Sequence, residues 1–188
     1  MELLSRRGLK IYRPFGTRYD EEYILKKISS GRVSVATWGW MSADGLGVLW
    51  RIVGHLNAEQ YIHMLENMMP SVRQSFPDGR ILFQHDRFPI HTSRAVREWF
   101  ERHQDEIALI YWPGKGFDIS PIEPVWARQQ KHLLERRQFF SNPDQLYQAV
   151  EEEWERLALD VNFARNLVNS IPRRMQAIID KRGGITKY

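Results

Sequence analysis

Apolar and polar positions change period several times along the chain, and each change marks an element. Val33-Ser34-Val35-Ala36-Thr37-Trp38-Gly39-Trp40 alternates and is rich in β-formers, which predicts a strand. Ala43-Asp44-Gly45 is a turn signal, and Val48-Leu49-Trp50-Arg51-Ile52-Val53 forms the second arm of a hairpin. Asn57 is placed to cap a helix that carries Tyr61, Leu65 and Met68-Met69 on one side. Arg80-Ile81-Leu82-Phe83-Gln84 reads as a short strand ending at His85-Asp86, followed by a helix from about Ser93 to His103. Ile107-Ala108-Leu109-Ile110-Tyr111 is a further buried strand, stopped by Trp112-Pro113-Gly114. A helix is expected from near Pro121, since proline suits a first turn, running through Trp126 towards Arg137. Asn142-Pro143 opens another, and Ile171-Pro172 breaks the last helical region.

Upstream, Leu3-Leu4 and Leu9-Lys10-Ile11-Tyr12 flank Arg6-Arg7-Gly8 as a hairpin. Residues 13–31, punctuated by Pro and Gly, read as a long excursion between strands. Strands joined through helices pair in parallel, whereas hairpins make an antiparallel edge. The order therefore predicts an α/β domain with a mixed sheet and helices on both faces. Residues 1–140 are expected to form its core and residues 141–188 a helical extension of the same domain.

Composition narrows the classes. At 188 residues the chain fits one domain, and 43% hydrophobic with 27% charged residues reads as globular rather than disordered. No apolar run is long enough for a bilayer, and the first residues are too charged for a secretory signal. With no cysteine, disulfides and thiolate metal sites are excluded. A net charge of +4 suits a polyanionic partner without demanding one. Its distribution is uneven: Glu151, Glu152, Glu153 and Glu155 cluster, while Arg128, Lys131, Arg136 and Arg137 lie close together upstream.

Two segments carry candidate chemistry. Asp86 sits where a buried strand gives way to a loop, and ligands of parallel sheets collect at the carboxyl ends of strands. Taken alone, an aspartate there is more often a turn cap. Glu123 falls in the first turn of a helix, where the helix dipole by itself explains a carboxylate. Two such carboxylates can share divalent metal if the fold brings them together, because magnesium favours a few carboxylates plus water and phosphate oxygens.

Taken together these motifs resemble the mariner superfamily of transposases, which carry a DDE or DDD carboxylate triad. Phe83-Gln84-His85-Asp86 with Pro89-Ile90-His91-Thr92-Ser93 resembles the motif of the second aspartate. Trp112-Pro113, Asp118, Pro121-Ile122-Glu123 and Val125-Trp126 resemble that of the third carboxylate, and the 36 residues between Asp86 and Glu123 are close to the family spacing. Val35 to Ser42, Asn57-Ala58-Glu59-Gln60-Tyr61, and Tyr12-Arg13-Pro14 with Gly16-Thr17-Arg18-Tyr19 look like further family landmarks. The resemblance implies a ribonuclease H-like fold and Mg2+- or Mn2+-dependent cleavage and transfer of DNA strands in the nucleus. Asp86 and Glu123 would be catalytic metal ligands, with His91 and Asp118 supporting them from behind. Arg128, Lys131, Arg136 and Arg137 would contact DNA, both transposon ends and target, with a homodimer as the expected assembly.

Three departures from the family pattern matter. Arg87 stands where the family usually has Asn, and a guanidinium beside a metal-binding carboxylate competes with the cation. Ser120 replaces another usual Asn. The first aspartate has no counterpart: its expected place lies just upstream of Met1, and Asp20 and Asp44 fall in the linker and a hairpin turn. The chain alone is therefore expected not to cut DNA. The alternatives are a non-catalytic DNA- or protein-binding transposon remnant, or a relic that folds poorly.

Overall fold

The structure is a computed structural model that describes residues 33–184 apart from Asp78, Lys115, Phe117, Asp118 and Arg137. The hairpin predicted over residues 3–12 and the excursion over 13–31 lie outside the described residues. Strands β1 (Ala36–Ser42) and β2 (Gly45–Ile52) form an antiparallel hairpin with Trp38 opposite Trp50 and Gly39 opposite Leu49. The second arm starts three residues earlier than its apolar run, because Gly45 itself leaves the turn, at φ +145°, a region that glycine alone enters cheaply.

The register then shifts: Met41 faces Leu46, so Gly47 and Val48 together occupy the place opposite Trp40. An extra residue of this kind resets the in–out phase of a strand. As a result Leu46 and Leu49, three positions apart, both pack into one hydrophobic cluster. That cluster gathers Val35 and Leu49 of the hairpin segment with Val125, Trp126 and Leu133 of helix α3 (Glu123–Glu135) and Leu146, Val150, Trp154 and Leu157 of helix α4 (Pro143–Ala158). The tryptophans of the hairpin, Trp38, Trp40 and Trp50, pack into a second cluster. It is built from Tyr61, Leu65, Met68 and Met69 of helix α1 (Ala58–Ser75), Val96, Trp99 and Phe100 of helix α2 (Arg94–Arg102), and strands β3 (Ile81–Phe83) and β4 (Ile107–Leu109). The hairpin is thus a layer with a core on each face, the arrangement of an α/β fold.

Helix boundaries follow local chemistry. Asn57 and Gln60 make a reciprocal capping box, each side chain accepting from the other's backbone N–H. Ser93 caps α2, Asn142 caps α4 with Oδ1 accepting from Gln145 N at 2.9 Å, and Asp160 caps helix α5 (Val161–Asn169). Helix α3 begins at Glu123, not near Pro121; Pro124 is the proline of its first turn. Pro172 opens helix α6 (Ile171–Asp180), so the break predicted at Ile171-Pro172 falls one residue earlier, at Ser170. Strands β3 and β4 pair in parallel, Ile81 beside Ile107 and Phe83 beside Leu109, with α2 crossing between them. Among the described residues the predicted single mixed sheet is present as two two-stranded sheets, because no described strand hydrogen-bonds between β1 and β3. Among the described residues no helix is long and apolar enough to cross a membrane.

Trp154 sets the spacing of one core. Its Nε1 donates to the Gly47 carbonyl at 2.8 Å, and its ring covers Gly39, where an added Cβ would lie 2.9 Å from a ring carbon. Gly39→Ala is therefore expected to destabilise the fold by about 1–3 kcal/mol through overpacking. Gly79→Ala, where a Cβ meets nothing within 4 Å, is expected to leave stability nearly unchanged. Thermal unfolding of the two variants side by side measures the difference.

Candidate active site

Asp86 leaves the carboxyl end of β3 on an exposed loop and uses one oxygen to hold that loop. Its Oδ1 accepts from Phe88 N at 3.0 Å and from His91 Nδ1 at 2.6 Å. His91, mostly buried, is itself clamped: its ring stacks on His85 at 5.1 Å, nearly parallel, and lies 4.3 Å from the ring of Tyr61. Tyr61 is fully buried in α1, and its hydroxyl meets His85 Nδ1 at 3.0 Å. Burial first, and the neighbouring His91 next, push His85 down to about 4, so this ring is neutral near pH 7. The same burial raises the Tyr61 phenol far above its ordinary value. The result is a rigid uncharged backing behind His91 that fixes the orientation of the Asp86 carboxylate, while Oδ2 takes no hydrogen bond from the described residues.

Glu123 arrives from the other core. It opens α3, whose Val125 and Trp126 are buried against α4. No hydrogen bond or ion pair from a described residue reaches its carboxylate. Partial burial, reinforced by the like charge of Asp86, raises its pKa above the ordinary carboxylate range. The charge of Asp86, separated from Glu123 by 36 residues in sequence, adds to that shift behind burial. Hard oxygen donors with one oxygen left open suit a divalent cation of the magnesium class. Two are not a full set: among the described residues no group of three or more His, Asp or Glu is assembled to hold a metal, and Asp118 lies outside the described residues.

The sequence matches the family model described as DDE superfamily endonuclease over residues 4–147. The chain belongs to this family. Within it the relatives are of the Tc1/mariner type. The chain is 34% identical over 187 residues to the transposable element Tcb2 transposase of Caenorhabditis briggsae, covering 99% of this chain and 66% of that protein. It is 35% identical to the Tc1 transposase of Caenorhabditis elegans over 95% of this chain and 63% of that one. The chain thus spans slightly under two thirds of the length of these curated relatives. In fold it superposes on the crystal structure of the catalytic domain of Mos1 mariner transposase with a TM-score of 0.72 at 20% identity, covering 82% of this chain and 77% of that one. Other Mos1 structures hold that domain with Mg and Raltegravir, or as a paired-end complex with the left transposon end. The fold is accordingly the ribonuclease H-like one expected of a DDE domain.

The basic residues expected to meet DNA in this DDE domain are largely engaged within it. Arg128 lies 3.8 Å from Asp160 and covers the Phe163 ring at 4.4 Å. Lys131 faces Glu135 at 3.7 Å, and Arg137 is not among the described residues. Arg136 donates to Glu152 at 2.9 Å and to Glu153 at 3.3 Å. Glu153, read in the sequence as one of a run of surface acids, is 2% exposed and also binds His132 and Arg156. Arg87 does not turn towards Asp86 as a competitor for a cation; its Nη1 donates to the Tyr111 hydroxyl at 2.9 Å.

Tyr61 and His85 escaped the sequence reading. Tyr61 sits on the apolar face of α1, so helical spacing assigns it to the core and is silent about its hydroxyl. His85 does adjoin Asp86, but its pairing with His91 six residues on belongs to no period.

Burial opposes ionisation of Glu153, and hydrogen bonds from Arg156 and His132 outweigh it, holding its pKa below the ordinary range. A depressed carboxylate contributes stability above its unfolded pKa and loses it as pH falls through the folded value. Glu153→Gln is expected to cost about 2 kcal/mol at pH 7, with the gap to the parent closing as the pH is taken below about 4. Chemical denaturation across that pH range provides the check.

Proposed function

We propose that the chain is the phosphodiester-cutting part of a Tc1/mariner-type transposase, with Asp86 and Glu123 as two carboxylate ligands of its divalent metal. The observation that carries this reading is the placement of those two side chains: Asp86 beyond the carboxyl end of β3 with Oδ2 bonded to no described residue, and Glu123 in the first turn of α3 with no described partner and within the electrostatic influence of Asp86. A divalent cation bound there supplies charge neutralisation at a phosphate oxygen and a more acidic water. The residues of this chain supply position. Asp86 is held by His91, and His91 by Tyr61 and His85. Glu123 is held by the seating of α3 on α4. The remaining ligand would come from outside the described residues. The partners are transposon-end and target DNA, the assembly a homodimer and the compartment the nucleus, by analogy with the relatives.

A second reading, a remnant that binds DNA or protein without cutting, is favoured by the lack of a third metal-binding side chain among the described residues. One assay separates the two. With Mg2+ or Mn2+, a version of the chain extended upstream to the length of its relatives is expected to nick plasmid DNA, and the 188-residue chain is not. Asp86→Ala or Glu123→Ala in the extended protein is expected to lower nicking at least about a hundredfold. Nicking that survives both substitutions removes the metal-ligand assignment; an inert extended protein favours the remnant.

A further inference from the structure

We infer that Arg87, held by Tyr111, is a phosphate-binding element of this domain. The inference rests on the DNA reading above and adds a contact beside the cutting site. Arg87 follows Asp86 directly, and Tyr111 lies two residues beyond the end of β4. Because β3 and β4 run in parallel, both loops emerge at the same end of the sheet. The Arg87 guanidinium donates to the Tyr111 hydroxyl at 2.9 Å and sits 5.4 Å over its ring. Tyr111 is 77% exposed despite following an apolar strand, so it gains little as a core residue there. Its contact in the structure is with the guanidinium, which it holds.

Charge pairing sets Arg87 apart from the described cations of α3. Arg128, Lys131 and Arg136, the cations of α3 and its end, each face a carboxylate of the same domain. Arg87 pairs with no described carboxylate, not even its neighbour Asp86, whose Oδ1 is committed to His91. Its planar fork is therefore exposed, oriented and not neutralised by any described residue, one residue from a proposed metal ligand. A guanidinium with donors left over matches a phosphate, whose oxygens accept two parallel N–H bonds. Such a contact attracts DNA without reading its sequence, and it shows itself as salt dependence. Tyr111 is the positioning residue: without its hydroxyl the guanidinium loses its tether and is freer to swing towards Asp86.

The test is fluorescence anisotropy of a labelled random-sequence duplex, titrated with the whole chain over a range of salt without divalent metal. Arg87→Gln is expected to weaken binding roughly tenfold at moderate salt and to lower the slope of log K against log salt by about 0.9. Arg87→Lys keeps the charge and is expected to keep the slope. Tyr111→Phe keeps slope and ring, and loses affinity a few-fold. Because both side chains are exposed, all variants should unfold at the parent's temperature, which thermal melts verify. If the parent binds while Arg87→Gln matches it in slope and affinity, the phosphate contact is wrong and the DNA reading stands. A Tyr111→Phe variant that binds like the parent removes the positioning role. If the parent itself fails to bind even at low salt, the DNA reading falls and takes this inference with it.

Discussion

The site exists because one hairpin serves two cores. Asp86 follows β3, which packs in the cluster built on α1, α2, β3 and β4, and Glu123 opens α3, which packs in the cluster built on α3 and α4. Among the described residues only the β1–β2 layer, with Val33 and Val35 just before it, contributes to both, tryptophans to one side, Val35, Leu46 and Leu49 to the other. Its thickness therefore sets how near the two carboxylates come. Trp154 fixes that thickness on the α3–α4 side by lying against Gly39 and bonding the Gly47 carbonyl, and Trp126 stacks on Trp154 at 4.9 Å. Trp126 lies three residues after Glu123, so the stack that sets the layer also sets the start of α3. A packing change there would move Glu123 without touching it.

Much of this layering was legible from the alternation of residues 33–40 and the helical spacing of Tyr61, Leu65 and Met68. Alternation survives in sequence because a strand facing two environments must keep its period. The bulge did not show, since Gly47 in Leu46-Gly47-Val48 has no distinctive neighbour; its meaning lies in Trp40, whose ring fills the space a Cβ at Gly47 would need. The start of α3 was misplaced for a related reason. Pro121 and Pro124 both suit a first turn, and choosing between them takes the packing of Val125 and Trp126, which sequence does not display.

For the site, Asp86 and Glu123 were visible because their neighbours form motifs at a fixed spacing, whereas their supports were not. Tyr61 acts through a hydroxyl at the edge of a buried ring, and a hydrophobicity pattern weighs only the ring. Glu153 hides in the opposite way. In a run of four acids among five residues, nothing in the sequence says that one of them faces inward to meet His132 and Arg136 across a helix interface, together with Arg156 of its own helix.

That interface bears on the chemistry. Breaking a buried ionic cluster by losing one member leaves uncompensated charge, which makes such a cluster stiff against partial loss. In this domain the cluster joins α3 to α4 along the length of the helix that carries Glu123, with Gln129 adding a bond to the Val150 carbonyl at 2.8 Å. The helix is thus held at its start by stacked tryptophans, midway by Gln129 and near its end by ions. Rigidity of that kind is what a repelling pair of carboxylates requires: a mobile α3 would let Glu123 retreat from Asp86 and relieve the repulsion by distance. Held in place, such a pair is relieved by taking up positive charge, a proton or a cation; the raised pKa of Glu123 comes first from its burial, to which the charge of Asp86 adds.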